Sequence, residues 1–338
     1  MKQAVLWEKL DTQKVQCKLC RWACVIAPDQ TGRCKVRKNI NGVLYSLNYD
    51  KVCSVSEDDP VEKKPLFHFL PGSRTFSVSA PGCNFQCVFC QNWQISQSPY
   101  KNQIDGHAYT PQRLVDAAVE SGCQSIAYTY TEPTIFMELC AETATLAKQR
   151  GLYNIFVSNG FMSIDAVEFV RPWLDAINVD LKAFTEDFYR NLCKARLEPV
   201  LETIRYIAQH TDIWMELTTL LIPGKNDSPE ELKLLVQFIA AECGLDTPWH
   251  ISRFYPQYQL TEGLATSSQA LEQAYDIGRQ AGLRYVYVGN LPGNRAESTF
   301  CYACGKLLIE RNGYHIMANN IRDGMCPYCG TNIVGLWP

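Results

Sequence analysis

No stretch of this 338-residue chain approaches the roughly 18 consecutive apolar residues that a membrane-spanning helix requires. The opening run, Met1 to Lys9, is broken by charge too early to form the apolar centre of a signal peptide, so a cytoplasmic location is the expectation. An excess of positive charge is also lacking. Lys and Arg number 32 against 35 Asp and Glu, a formal net charge of −3, which argues against a broad basic surface and against nucleic acid as the partner. There is no low-complexity tract. With 46% hydrophobic and 20% charged residues the composition is globular rather than disordered, and the length suits two or three domains.

Cysteine is abundant instead. The chain has 16, too few for a small disulfide scaffold and too many for routine packing. Without a secretory leader, disulfides are not expected to persist, and clustered cysteines point to metal. Eleven of them fall into three groups: Cys17, Cys20, Cys24 and Cys34; Cys83, Cys87 and Cys90; and Cys301, Cys304, Cys326 and Cys329. The other five (Cys53, Cys123, Cys140, Cys193 and Cys243) read as small buried hydrophobes.

Between about Thr75 and Asn290, seven strand-like runs alternate with six helical segments. Ser228-Pro229-Glu230-Glu231, for example, reads as an N-cap with proline at the first helical position. Repeated strand–helix units with short connections imply an α/β fold with a parallel sheet. The span is slightly short of a full eight-unit barrel, so a partial barrel and a doubly wound sheet both fit the periodicity. Turns at Asp58-Asp59-Pro60 and Leu291 to Asn294 divide the chain into an N-terminal cysteine module (1–60), the α/β unit (61–294) and a C-terminal cysteine module (295–338).

The middle group is spaced C-x3-C-x2-C on what reads as a strand-to-helix loop. Three thiolates leave one iron of a four-iron cube open to an exogenous ligand. A zinc site completed by a distant residue, or clustering by chance, are the alternatives. The C-terminal C-x2-C pairs, separated by 21 residues, read as a structural zinc ribbon, with a rubredoxin-like iron or an auxiliary cluster as alternatives. Metal is expected to fold so short a tail. The N-terminal four, within 18 residues, suit zinc, which is favoured, or a second iron–sulfur cluster; one of them is a candidate non-ligand. The adjacent basic run from Arg33 to Lys38 would tune a cluster or dock an acidic partner.

Other candidates are less sharp. Asp180 and Lys182, two apart on one strand, face the same side and suit either ligand contact or a strand-end ion pair. Glu216 and Thr218 form a similar inward pair, and His250 with Arg253 is placed towards a cleft beside Tyr255, or as an ordinary strand-end histidine.

Cys83-x3-Cys87-x-Phe89-Cys90 after the first strand resembles the signature of the radical SAM enzymes, in which the open iron of a [4Fe-4S] cluster is chelated by S-adenosylmethionine. The resemblance implies a partial (β/α)6-type TIM barrel. It places Phe89 beside the adenine, Glu132 in the motif for the SAM amino group and Asn159 in a ribose-side motif, and it makes Asp180 and Lys182, at the end of the fourth strand, candidates to hold the SAM carboxylate and a bound cation, a strand-end ion pair being the alternative. The chain keeps Glu132-Pro133 but has Tyr130-Thr131 in place of that motif's glycines. More narrowly, it resembles the branch related to pyruvate formate-lyase activating enzymes, and within it the AmmeMemoRadiSam system radical SAM enzymes. Their features are matched by the segment from Asp59 to Phe69, Cys90-Gln91-Asn92-Trp93, and Tyr287 to Asn290 before the terminal cysteine pairs. The implied partner is a low-potential electron donor of flavodoxin or ferredoxin type. The implied chemistry is hydrogen abstraction from a small molecule, a peptide or the glycine of a partner enzyme. A reading of another class is a zinc-ribbon interaction or RNA-binding protein with a vestigial barrel site.

Overall fold

The computed structural model describes residues 1–291 and 293–338; of the expected turn at 291–294, Pro292 lies outside them. Its centre is an eight-stranded sheet: β1 (Ser54–Pro60), β2 (Arg74–Ser79), β3 (Ser125–Tyr128), β4 (Tyr153–Ser158), β5 (Ala176–Asp180), β6 (Trp214–Leu221), β7 (Trp249–Arg253) and β8 (Val286–Gly289). The strands lie side by side in chain order, with β1 antiparallel to β2 and the rest parallel. A doubly wound sheet would reverse its order at a switch point. This one does not, and β1 and β8 remain its two edges, so it is an open, partial α/β barrel.

Helices α1 (Pro111–Glu120), α2 (Met137–Gln149), α3 (Ile164–Val170), α4 (Glu198–His210), α5 (Pro229–Phe238) and α6 (Ser268–Gln280) connect the parallel strands. Several start as the sequence dictates: Thr110, Ser163, Ser228 and Ser267 each accept a hydrogen bond from the backbone N–H three residues on. Along the strands, alternate residues face opposite sides. Phe76, Val78, Ile126 and Phe156 pack in one core with Leu114, Val115 and Leu139 from the helices. Ala127, Ile155 and Ala176 face the barrel interior and are covered by Val61, Leu66 and Phe69 from the segment joining β1 to β2.

That segment plugs the N-terminal end of the barrel. Glu216, fully buried on β6, accepts from the backbone N–H groups of Phe67 (3.0 Å) and His68 (2.8 Å), from Trp214 Nε1 (3.0 Å), and pairs with His250 Nε2 (2.6 Å). The expectation that His250 faces a cleft beside Tyr255 is therefore corrected. It lies near the start of β7, stacked on Tyr287 and edge-on to Phe67, where with Glu216 it holds the plug.

Residues 1–53 form two small three-stranded sheets. The C-terminal residues form a third (Thr299–Phe300, Leu307–Asn312 and His315–Asn319), which packs on Phe67, Tyr285 and Tyr287 at the plugged end. Among the described residues, no helix is long and apolar enough to cross a membrane.

Candidate functional site

The loop leaving the C-terminal end of β2 carries Cys83, Cys87 and Cys90. In a barrel this is the end where sites are built. Gly82 opens the loop with φ of +112°, and a Cβ there would come within 2.9 Å of Ile135 and 3.1 Å of Val36, so glycine is required. The Cys83 sulfur accepts from Phe85 N–H (3.4 Å) and lies 3.7 Å from Asn159 Nδ2; that of Cys90 is 3.2 Å from Ser96 Oγ. The three sulfurs do not all lie within 4.8 Å of one another, a spread wider than a single tetrahedral ion takes and suited to separate irons of a cluster. Cys193, unremarkable in sequence, stands behind this loop: its carbonyl accepts from Gln86 N–H (3.0 Å) and its thiol faces that of Cys87.

The ends of β3 and β4 are tied together by Glu132. Its Oε1 accepts from Thr134 N–H (3.1 Å), the Thr134 hydroxyl and Ser158 Oγ (2.8 Å), and its Oε2 from Asn159 N–H (2.8 Å). Burial pushes this carboxyl above its ordinary value, against the pull of those donors. Asn159 carries the link onward: its Nδ2 donates to Asn84 Oδ1 (2.7 Å) beside Cys83, and its Oδ1 accepts from Phe161 N–H (3.1 Å). Gly160 follows at φ +70°, where a Cβ would come within 2.7 Å of Val179.

Where the resembled motif has glycines, Tyr130 takes φ of +64°, a left-handed conformation that costs a side-chain-bearing residue of order 1–3 kcal/mol. Its carbonyl accepts from Asn92 Nδ2 (2.8 Å), and its hydroxyl donates to Asp59. Asp59 also receives Lys63 (2.7 Å), Lys64 (2.6 Å) and Ser77 (2.8 Å). Although burial works the other way, these donors hold Asp59 well below the usual carboxylate range, while burial brings Lys64 down to about 8. Sequence reasoning missed this cluster because its members come from three segments. The one local signal was the loss of the glycines.

At the end of β5, Lys182 Nζ lies 2.8 Å from Asp180 Oδ2, with the carboxylate about one-third exposed. Burial opposes the ammonium charge, but Asp180 and the nearby Cys87 and Cys193 thiols hold Lys182 well above its ordinary value. Phe89 is buried against Phe188 at 5.7 Å. Phe89, Glu132, Asn159, Asp180 and Lys182 thus all sit on the strand-end loops beside the three cysteines. Thr218 Oγ1 and Asn178 Oδ1, on inward-facing positions of β6 and β5, are buried without a partner in the protein.

The four C-terminal sulfurs gather differently. All lie within 4.8 Å of one another, with Cys301–Cys329 at 3.6 Å and Cys304–Cys326 at 3.7 Å. Zn–S bonds of about 2.3 Å place tetrahedral ligands about 3.8 Å apart, so this quartet fits one ion.

Comparison with known proteins agrees with this geometry. Residues 77–238 match the radical SAM superfamily. A Methanocaldococcus jannaschii protein of unassigned function is 42% identical over 335 residues, covering 98% of this chain and 99% of its own length. Pyruvate formate-lyase-activating enzyme of Listeria monocytogenes is 28% identical over 181 residues, covering 50% of this chain and 70% of its own. The crystal structure of Streptococcus suis SuiB bound to S-adenosylmethionine shares the fold, with a TM-score of 0.52 at 14% identity over 72% of this chain and 56% of that one. The chain belongs to the radical SAM superfamily, enzymes dependent on S-adenosylmethionine and an iron–sulfur cluster.

Proposed function

We propose that this protein reductively cleaves S-adenosylmethionine at a [4Fe-4S] cluster held by Cys83, Cys87 and Cys90, and uses the radical so formed to take hydrogen from a substrate. The observation that carries the reading is the placement of three, and only three, cysteines on the loop after β2, facing Asn159 and the Glu132 turn. When bound, the cluster and S-adenosylmethionine supply one-electron chemistry that ends in hydrogen abstraction by a 5′-deoxyadenosyl radical.

The residues of this chain position and shield. Glu132 fixes the 158–160 turn, so that Asn159 is held against the cysteine loop. Lys182 offers a half-buried cation to the carboxylate of S-adenosylmethionine, with Asp180 beside it for the ammonium or a bound cation. Phe89 gives an apolar wall for the adenine. Asp59, Lys64 and Tyr130 form a polar floor beneath, where a substrate would exchange hydrogen bonds or a proton. The electron donor is a low-potential protein of flavodoxin or ferredoxin type. The relatives named as activating enzymes favour, as a second reading, a partner protein whose glycine is the hydrogen source. The C-terminal quartet holds zinc, and the AmmeMemoRadiSam branch is the assignment within the superfamily.

The test is anaerobic incubation with dithionite and S-adenosylmethionine, followed by mass-spectrometric detection of 5′-deoxyadenosine. Iron-loaded wild-type protein is expected to form it, and Cys87→Ala to form none while keeping its zinc. An iron-loaded wild type that forms none overturns the reading.

A further inference from the structure

The N-terminal cysteines resemble the middle group, not the C-terminal one, in how their sulfurs are spread. Cys17, Cys20, Cys24 and Cys34 line a single small cavity of about 10 Å³, closed by Leu19, Ile26 and Ile135. Yet no three of their sulfurs lie mutually within 4.8 Å. In the same molecule, the C-terminal quartet shows what four cysteines built for one ion look like, closed to 3.6 and 3.7 Å. Four thiols that face one site yet stand apart suit a larger inorganic core, whose separate irons each take one ligand.

A second feature points into the same cavity. Arg37, 1% exposed, lines it, and its Nε has no partner in the protein. The guanidinium is anchored at its other end by Glu138 (2.6 Å), itself fixed by Val5 N–H (2.8 Å). A buried N–H left without an acceptor is costly, and a sulfide or thiolate of an anionic cluster would satisfy it. We propose that Cys17, Cys20, Cys24 and Cys34 hold an iron–sulfur cluster, rather than the zinc expected from their spacing, and that it relays electrons to the Cys83 site.

The packing between the two sites supports the relay. Val36, two residues after Cys34, and Ile135, in the cavity wall, are the side chains that close on Gly82 immediately before Cys83. Trp22, another wall residue, donates from its indole to the carbonyl of Asn84 (2.9 Å) and packs on Phe161 at 5.0 Å. One layer of side chains thus separates the two cysteine groups. On the outer side, exposed Arg33 and Lys35 flank Cys34 and suit an acidic donor. The balance is simple. A low-potential flavin or iron–sulfur protein is oxidised by one electron, the N-terminal cluster is reduced by one and then reoxidised as it passes that electron inward, and no bond is made or broken.

The experiment compares metal content and spectra of full-length protein, purified anaerobically. Wild type is expected to hold about eight irons and one zinc. The Cys83/Cys87/Cys90→Ala variant should keep about four irons, with a dithionite-induced electron paramagnetic resonance signal, because the N-terminal site is untouched. Cys20→Ala with Cys34→Ala should lose that signal; should this variant not fold, Mössbauer spectra of wild-type protein still count the irons. Iron lost completely from the Cys83/Cys87/Cys90→Ala variant, with two zincs per chain, overturns the proposal and leaves the catalytic cluster standing. Iron fully retained in that variant at the wild-type level keeps the N-terminal cluster and sinks the catalytic assignment instead.

Discussion

At the C-terminus, four sulfurs close to within 3.6 and 3.7 Å, with Cys304 and Cys329 exposed; at the N-terminus, four thiols stand apart around a cavity in the main core. Each module is fastened to the barrel by a buried arginine reaching a buried glutamate. Arg37 meets Glu138 of α2 at 2.6 Å, and Arg311 approaches Glu62 at 3.6 Å while donating to the Phe67 carbonyl at 2.8 Å. The fastenings differ in place. Arg37 lies beside the strand-end loops that carry the chemistry, whereas Arg311 braces the plug at the opposite end. Two quartets of one residue type are thus built differently in one chain, and what distinguishes them is the spread of the sulfurs and the end of the barrel each module covers.

The largest effect expected from breaking this contrast is at the C-terminus. The Cys301→Ser/Cys326→Ser variant should lose the zinc proposed for this quartet, and with it apparent binding energy of roughly 10–16 kcal/mol of the kind that folds so small a module. Phe67, Tyr285 and Tyr287 would then lose their cover. The expected readout is proteolytic loss of the residues after about Thr299, with iron content unchanged. Intact protein with a wild-type melting curve would show that the ribbon folds without metal.

Much of this architecture is legible in the sequence, because the parallel strands are apolar runs and their helices open on Ser or Thr caps. β1 is not. Ser54 to Pro60 is polar and acidic, as suits an edge strand, and Asp58-Asp59-Pro60 reads as a turn. The three cysteine groups stand out by spacing alone. Spacing does not say how far apart the sulfurs end, because that depends on what fills the space between them. Glu216 and His250 can be read as inward-facing, but nothing local tells which end of the barrel they occupy; the plug that claims them lies about 150 residues away in sequence. Asp59, Lys64 and Tyr130 are likewise joined only by tertiary contact.

A smaller effect probes the N-terminal fastening. Arg37→Met leaves Glu138 buried without its counter-charge, which should cost roughly 3–5 kcal/mol in chemical denaturation. If the guanidinium also faces an anionic cluster, the same variant should lower that cluster's reduction potential and its iron occupancy, while zinc stays at one per chain. A loss of stability with an unchanged potential would confine Arg37 to fastening.

The smallest effect separates the two ends by pH. His68, fully buried in the plug, donates from Nδ1 to the Val334 carbonyl (2.7 Å), which leaves Nε2 to accept from the Tyr287 hydroxyl (2.7 Å) and fixes a neutral ring. Burial brings its pKa down to about 4, from an ordinary 6.5; Glu216 pulls the other way, and Arg311 and His250 add to the fall. With the folded value below the unfolded one, the unfolded chain binds the extra proton. Stability therefore falls as pH drops from about 6.5 to about 4, by about 3 kcal/mol in all. Residues 1–53 contain no histidine, so acid in this window should loosen the docking of the C-terminal module before the N-terminal one. Zinc thiolates also protonate in acid, so the informative quantity is the difference between wild type and His68→Gln in denaturation measured across this range. A pH slope that survives the substitution would assign the acid sensitivity to the metal site rather than to the plug.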